Sequence, residues 1–202
     1  MAKRDGQMTR YALILLAIPI LSLSAPLIEI SHPKATLFLS SLKKNFPGKK
    51  LNTVIYPNSS LNFVSLNGKA LPKIRDEKKL AATLNEKLKT ALKQNDKGKI
   101  SVDSLKISQQ DDAFTFSFAP CNYTVSKFGG KWVAFVTGED SVLLFKKEGQ
   151  ISMPAGTCHK PIELKWKSKS KPKELTLIVA LYDERGNYVI SKSNKEREVE
   201  KR

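Results

Sequence analysis

The chain has 202 residues, of which 35 are Lys or Arg and 19 are Asp or Glu, a net charge of +16. A hydrophobic fraction of 41% and nine Phe are enough to bury a core, which excludes a disordered or low-complexity chain. The surplus of charge is mostly Lys, a mobile and strongly hydrated point charge, so it favours diffuse attraction to anionic partners over bidentate readout.

The first ten residues are polar and basic, with Lys3, Arg4 and Arg10 against Asp5, and no charge follows from Tyr11 to Ile28. A basic leader before an apolar run is the pattern read by the export machinery. No polar stripe marks a solvent face, so the run does not read as an amphipathic core helix. Residues 1–30 are therefore expected to be a signal peptide or an uncleaved membrane anchor. Ser22 and Ser24 are small residues that suit a cut near Ala25. Without a cut, Lys3, Arg4 and Arg10 hold the N-terminus in the cytoplasm and the segment in the inner membrane. Either way the remainder is exported, to the periplasmic or extracellular side.

Residues 31–50 read as a solvated connector in which ATLFLSSLKK has weak helical spacing before Pro47 and Gly48 break it. From 51 the pattern turns to short strands, LNTVIY and LNFVSL, with Asn67-Gly68 as a tight turn. An amphipathic helix is predicted over about 75–94, with Leu80, Leu84, Leu88 and Leu92 on one stripe. Strands follow to 192. Phe114, Phe116 and Phe118 alternate in one of them, and NYTV, KWVAFVT, SVLLF, QISM, IELKW, ELTLIVALY and YVISK continue the series. Gly129-Gly130, Gly149 and Arg185-Gly186-Asn187 read as turns. Pro120-Cys121 is the one candidate boundary inside 51–192, and a single domain is the simpler reading. Residues 193–202 read as a charged, frayed tail. The fold class is α+β and mostly β: an antiparallel sandwich or partly closed barrel with one amphipathic helix, behind an N-terminal export or membrane segment.

Cys121 and Cys158 are the only cysteines, and an even number in an exported chain predicts a disulfide. With His159 and His32 they leave a Cys/Cys/His metal site open in principle, but the paired close spacing of a zinc site is missing. No metal and no cofactor is expected. No nucleophile elbow, zincin, dinucleotide or P-loop motif is present, and two histidines leave little for general acid–base work, so no catalytic residue is assigned. The most distinctive local pattern is Lys165, Lys167, Lys169, Lys171 and Lys173 around Trp166. In an extended strand all five ammonium groups face one way at roughly 7 Å intervals, and Trp166 faces the other. That row is the anion-binding candidate. Its competing reading is an edge strand guarded by Lys and Pro172 against aggregation.

Two functions from different classes follow. One is a non-enzymatic envelope protein that binds protein partners in a membrane-associated secretion, pilus or surface assembly. The other is a binding module for an anionic or amphipathic ligand, such as an acidic lipid, lipopolysaccharide or acidic glycan. A greasy cavity under the 75–94 helix separates them, because a lipid ligand needs one. No nucleic-acid-binding signature appears, and nucleic acid is not expected as a partner.

Overall fold

The computed structural model describes residues 24–57, 61–93, 99–110, 112–168 and 172–197. It begins with strand β1 (Leu27–Ser31), helix α1 (Ala35–Asn45) and strand β2 (Asn52–Ile55), in which β2 returns parallel to β1. A parallel return needs a crossover, and α1 supplies it, running back against the strand direction. Strand β3 (Phe63–Leu66) pairs antiparallel with β1. It turns at Asn67-Gly68 into the short β4 (Lys69–Ala70), with φ of 52° and 73° at the two turn residues. Positive φ at both positions is what the Asn-Gly turn requires. The first sheet therefore has the order β2-β1-β3-β4. Helix α2 (Glu77–Lys93) follows, beginning and ending within two residues of the predicted span.

Alternation in β1 sorts its side chains between two layers. Ile28 and Ile30 face the helices, where Phe38 and Leu42 of α1 and Leu80, Leu84 and Leu88 of α2 complete one core. Leu27 faces the opposite way, with Val54, toward Val133, Phe135, Ile178 and Ala180.

Those last residues belong to the remaining strands. They are β5 (Ile100–Gln110), β6 (Ala113–Asn122), β7 (Phe128–Thr137), β8 (Leu143–Met153), β9 (Thr157–Cys158), β10 (Ile162–Lys167), β11 (Glu174–Asp183) and β12 (Tyr188–Arg197). They form two antiparallel sheets, β10-β6-β5 with β9 also on β6, and β12-β11-β7-β8. The two pack into a sandwich around Phe114, Phe116, Phe118, Trp132, Leu177 and Val179. The result is four layers: helices, first sheet, the β7–β11 sheet, and the β6 sheet. The β7–β11 sheet is buried on both faces, so its strands read VAFV and LTLIVAL, nearly continuous apolar runs.

The predicted β-rich class and the alternating Phe strand hold, and the sheets are open rather than closed into a barrel. Several expectations are corrected. Two helices stand where one was predicted, because α1 buries Phe38 and Leu42 instead of forming a connector. The expected export segment, 1–30, overlaps the domain: Ala25, Leu27, Ile28 and Ile30 are core residues. Residues 1–23 lie outside the described residues, and among the described residues no helix is long and apolar enough to cross a membrane. The tail from 193 continues β12 as far as Arg197. Pro120-Cys121 lies inside β6, not at a boundary, and NYTV leaves β6 as a loop after Asn122. Gly129, Gly130 and Gly149 are in strands. A Cβ on Gly130 would fall 2.0 Å from the Tyr182 carbonyl oxygen. On Gly149 it would fall 2.6 Å from the Trp132 ring, its cross-strand partner. These glycines permit close approach, which is a packing role and not a turn.

The predicted disulfide is present. Cys121 of β6 faces Cys158 of β9 as a register pair and closes a sequence separation of 37. Constraining a loop of that length is worth about 3–4 kcal/mol on the chain-entropy model. Urea unfolding of the double variant Cys121→Ser, Cys158→Ser is expected to show a loss of that size without a change in far-UV signal. A loss below about 1 kcal/mol would mean that the loop is already held together in the unfolded chain.

Candidate functional site

The Lys row begins as predicted. Lys165 and Lys167 of β10 are exposed on one face. Trp166 turns the other way, its ring centroid 5.5 Å from Phe114 and 6.3 Å from Phe145. Lys169 and Lys171 lie outside the described residues, and Lys173 is exposed just before β11. The face of Lys165 also carries Glu163 two residues before it, and across β6 and β5 it continues through Thr115, Ser108, Ser117 and Lys106. It is a flat polar surface of mixed charge.

A different feature lies at the side of the sandwich. Strand β8 is the edge of the β12-β11-β7-β8 sheet, and β10 is the edge of the sheet opposite. Phe145 from β8 and Trp166 from β10 close the gap between these edges, and both are only half-buried. Leu144 beside them is 40% exposed. Ten of the eleven residues of β8 pair with β7, Leu144 being skipped at a register shift, and among the described residues no strand pairs with their other side apart from one bridge at the adjoining Val142. Along this edge Lys146, Lys147, Glu148 and Gln150 are exposed, and the Lys146 ammonium lies 5.5 Å from the Phe135 ring centroid. The sequence conceals this long free edge, because Gly149 reads there as the end of the strand.

One ion pair inside the fold joins two layers. Lys192 of β12, with a side chain 14% exposed, pairs with Asp103 of β5 at 3.2 Å. Burial acts to raise the Asp103 pKa, but hydrogen bonds from Ser101, Tyr123 and Lys192 outweigh it and hold the carboxyl below its ordinary 3.8. Between the first sheet and the β7–β11 sheet, the Tyr56 hydroxyl donates to Glu29 at 2.7 Å. Burial, and then Glu29, push both Tyr56 and Tyr182 well above the usual phenol range, so both stay neutral. The two histidines are apart: His32 stands edge-on to Phe38 and accepts from the Lys34 N–H, whereas His159 is exposed after β9. Cys158 is committed to the disulfide, so it supplies no thiolate beside His159. Among the described residues no group of three or more His, Cys, Asp and Glu could hold a metal ion.

The face of α2 is filled rather than hollow. Leu80, Leu84 and Leu88 pack on Ile28, Ile30, Phe38 and Val64. An open cleft of about 460 Å³ lies beyond its last turns, between Lys69, Lys87, Ala91 and Tyr188. The charge is also uneven. Between Ser24 and Lys93 there are thirteen Lys or Arg against four Asp or Glu, so +9 of the total +16 sits in the helices and first sheet.

Asp103 ties β5 to β12 only while ionised. Because its pKa is lowered by folding, its contribution is present above 3.8 and is lost as pH falls through the folded value. Urea midpoints measured from neutral pH down to below 3.8 are expected to fall less steeply for Asp103→Asn than for the wild type. Parallel curves would show that the pair with Lys192 contributes nothing that titrates.

No protein-family model matches this chain, and no match is found among curated protein sequences. Solved structures give partial likenesses. A β-glucuronidase 2 of Bacteroides uniformis, solved covalently bound to cyclophellitol-6-carboxylate aziridine, aligns at 13% identity over 50% of this chain and 13% of its own, with a TM-score of 0.37. A DUF3823 family protein of Bacteroides ovatus aligns at 8% identity over 49% of this chain and 54% of its own, at 0.36. OgpA of Akkermansia muciniphila, solved with an O-glycopeptide substrate, aligns at 9% identity over 48% of this chain and 28% of its own, at 0.35. This chain thus spans a small part of the glucuronidase, and likenesses of this extent assign it no activity.

Proposed function

We propose that the protein is an exported, disulfide-bonded, non-enzymatic component of a membrane-associated envelope assembly, and that it binds a protein partner by adding a strand to β8. The observation that carries this reading is the long β8 edge with half-buried Phe145 and Trp166 beside it. Every second residue of such an edge turns its N–H and C=O outward, a template for another strand. Apolar residues of an incoming segment meet Leu144 and Phe145, and acidic ones meet Lys146 and Lys147. The filled face of α2 supports a macromolecular partner over an enclosed lipid.

A second reading keeps the Lys-rich face around β10 as an anion-binding row, supported by the shared exposure of Lys165 and Lys167. It requires that Lys167→Ser, Lys169→Ser and Lys171→Ser together weaken salt-sensitive binding to an acidic glycan or lipopolysaccharide, with the fold intact. Unchanged affinity removes it.

Strand addition is tested with a photo-crosslinking residue at Leu144 in cells, together with Pro at Lys147 and, separately, at Glu148. Of two adjacent strand residues, one N–H faces β7 and the other faces outward. The Pro that removes an N–H to β7 is expected to lower the melting temperature. The other is expected to leave the fold intact and to abolish a discrete crosslinked adduct. Recovery of the protein only as a soluble monomer without adducts would refute the reading.

A further inference from the structure

We infer that the end of the helical layer where the chain enters the domain is a seat for an anionic phospholipid surface. This deepens the envelope reading and rests on residues 1–30 containing an export or anchor segment.

The two helices run side by side in the same direction. Lys34 pairs with Glu77 at 2.9 Å near both N-termini, and Asn85 donates to Ser41 at 3.0 Å farther along. Carrying that offset forward puts Lys43 of α1 level with Lys87 of α2, so both helices finish at one end of the molecule. Because α1 runs against β1, this is also the end at which β1 begins. The Asn52 N–H donates to the Pro26 carbonyl at 3.0 Å, and the Lys50 ammonium reaches the Ser193 carbonyl at 3.4 Å. The chain therefore leaves Ser24, toward its uncharged run from Tyr11, beside the lysines that close both helices.

Six lysines at this end are exposed and have no carboxylate within 4 Å among the described residues: Lys43, Lys44, Lys49, Lys50, Lys87 and Lys93. Lys89 is excluded because it pairs with Glu86 at 3.0 Å. Glu139 and Asp140 face Lys43, Lys49 and Lys50 across an open cleft, and still leave the end net positive. Lysines near an anionic leaflet strengthen attachment by on the order of fivefold each, and the effect decays within a Debye length. Lysines favour a diffuse head-group layer over base readout, and Leu61, Tyr123, Val125 and Leu144, the large exposed apolar residues described, all lie outside the helices. A lipid surface thus fits better than a single-stranded nucleic acid. Seated this way, the domain keeps the part of β8 around Glu148 three strand spacings or about 14 Å from Ser191 of β12, where Ala25 is tied, whereas Glu139–Ser141, which lead into β8, border the lysine cleft.

The test uses the full chain, reconstituted in vesicles of phosphatidylcholine alone and of phosphatidylcholine mixed with phosphatidylglycerol, with a fluorescent residue at Asn45 or at Gln150 and a quencher on the lipid head groups. Quenching at Asn45 is expected to be several-fold greater in the anionic vesicles. It should fall toward the phosphatidylcholine value near 1 M salt, where the Debye length is about 3 Å. Quenching at Gln150 should be weak in both. The variant Lys43→Ser, Lys44→Ser, Lys49→Ser, Lys50→Ser is expected to lose the difference, and the salt dependence of the wild type reads the same electrostatic contribution should that variant misfold. Equal quenching at Asn45 in the two lipids overturns the proposal. Displacement from anionic vesicles by duplex DNA at physiological salt also overturns it, in favour of a nucleic-acid face. Vesicle flotation separates the underlying reading: chains that float with neither lipid at high salt have no anchor. A seat without an anchor is then shown by low-salt flotation with phosphatidylglycerol vesicles alone, and the absence of such flotation refutes it.

Discussion

The structure depends on one sheet that must be hidden from water on both faces. In β7, Trp132, Ala134 and Val136 point toward the β6 sheet, and Val133 and Phe135 point the other way. In β11 the same division falls between Leu177, Val179 and Leu181 on one side and Ile178, Ala180 and Tyr182 on the other. Burying a large aliphatic or aromatic side chain is worth roughly 1.5–3 kcal/mol, so leaving either face uncovered would cost an amount comparable to a domain's whole margin of stability. The sandwich covers one face. The other needs a second layer, and the residues before 57 supply it through Leu27 and Val54. That layer is apolar on its far side as well, so α1 and α2 cover Ile28 and Ile30.

Joining the first sheet to the middle one leaves backbone groups that must be satisfied. At the seam the Ala25 N–H donates to the Ser191 carbonyl at 3.2 Å, and the Ser191 hydroxyl donates back to the Ala25 carbonyl at 2.7 Å. Asn52 donates to Ser191 at 2.8 Å, and the Tyr188 hydroxyl lies within 3.0 Å of both groups. The Asp103–Lys192 pair does the corresponding work between β12 and β5. β12 is thus held from both sides by hydrogen bonds and an ion pair, whereas β8, at the opposite edge of the same sheet, meets its neighbours through Phe145 on Trp166, Lys146 over Tyr56 and the Asn122 amide on the Met153 carbonyl, and among the described residues no strand pairs with its outward side. This difference between the two edges underlies the strand-addition reading.

Much of the fold was legible because its signals were local. The stripe of Leu80, Leu84 and Leu88, the alternation of Phe114, Phe116 and Phe118, and the Asn67-Gly68 turn each specify their element within a few residues. The errors arose where one pattern has two physical causes. Leu27, Ile28 and Ile30 extend an apolar run, and they are also a strand buried on both faces; hydrophobicity alone does not separate these. Gly130 and Gly149 resemble turn residues in sequence, yet each is required by a neighbour from another part of the chain, Tyr182 and Trp132. α1 was obscured for the same reason, since a weak stripe around Phe38 and Leu42 gains its meaning only from α2, more than thirty residues later. Of the candidate site, the disulfide and the inward Trp166 were legible. The β8 edge and the gathering of charge on the helices are properties of layer order, which no short window contains.

The same lysines admit two physical roles, and their positions separate these. On β8 and β10, Lys146, Lys147, Lys165 and Lys167 are interspersed with Glu148 and Glu163, so the edges carry little net charge. Such interspersed charge prevents identical chains from pairing edge to edge and still admits a partner of complementary pattern. The lysines that close α1 and α2 are different, because they guard no strand and a helix end has no edge to protect. Cations in the last turn do stabilise a helix, by about 0.3–1 kcal/mol each, through the macrodipole. That accounts for Lys43, Lys44 and Lys93. It does not reach the ammonium groups of Lys49 and Lys50, which lie beyond the last turn and stand exposed beside the entry of the chain. The excess at that end therefore exceeds what helix stability needs, and an anionic surface outside the domain is the partner its position fits.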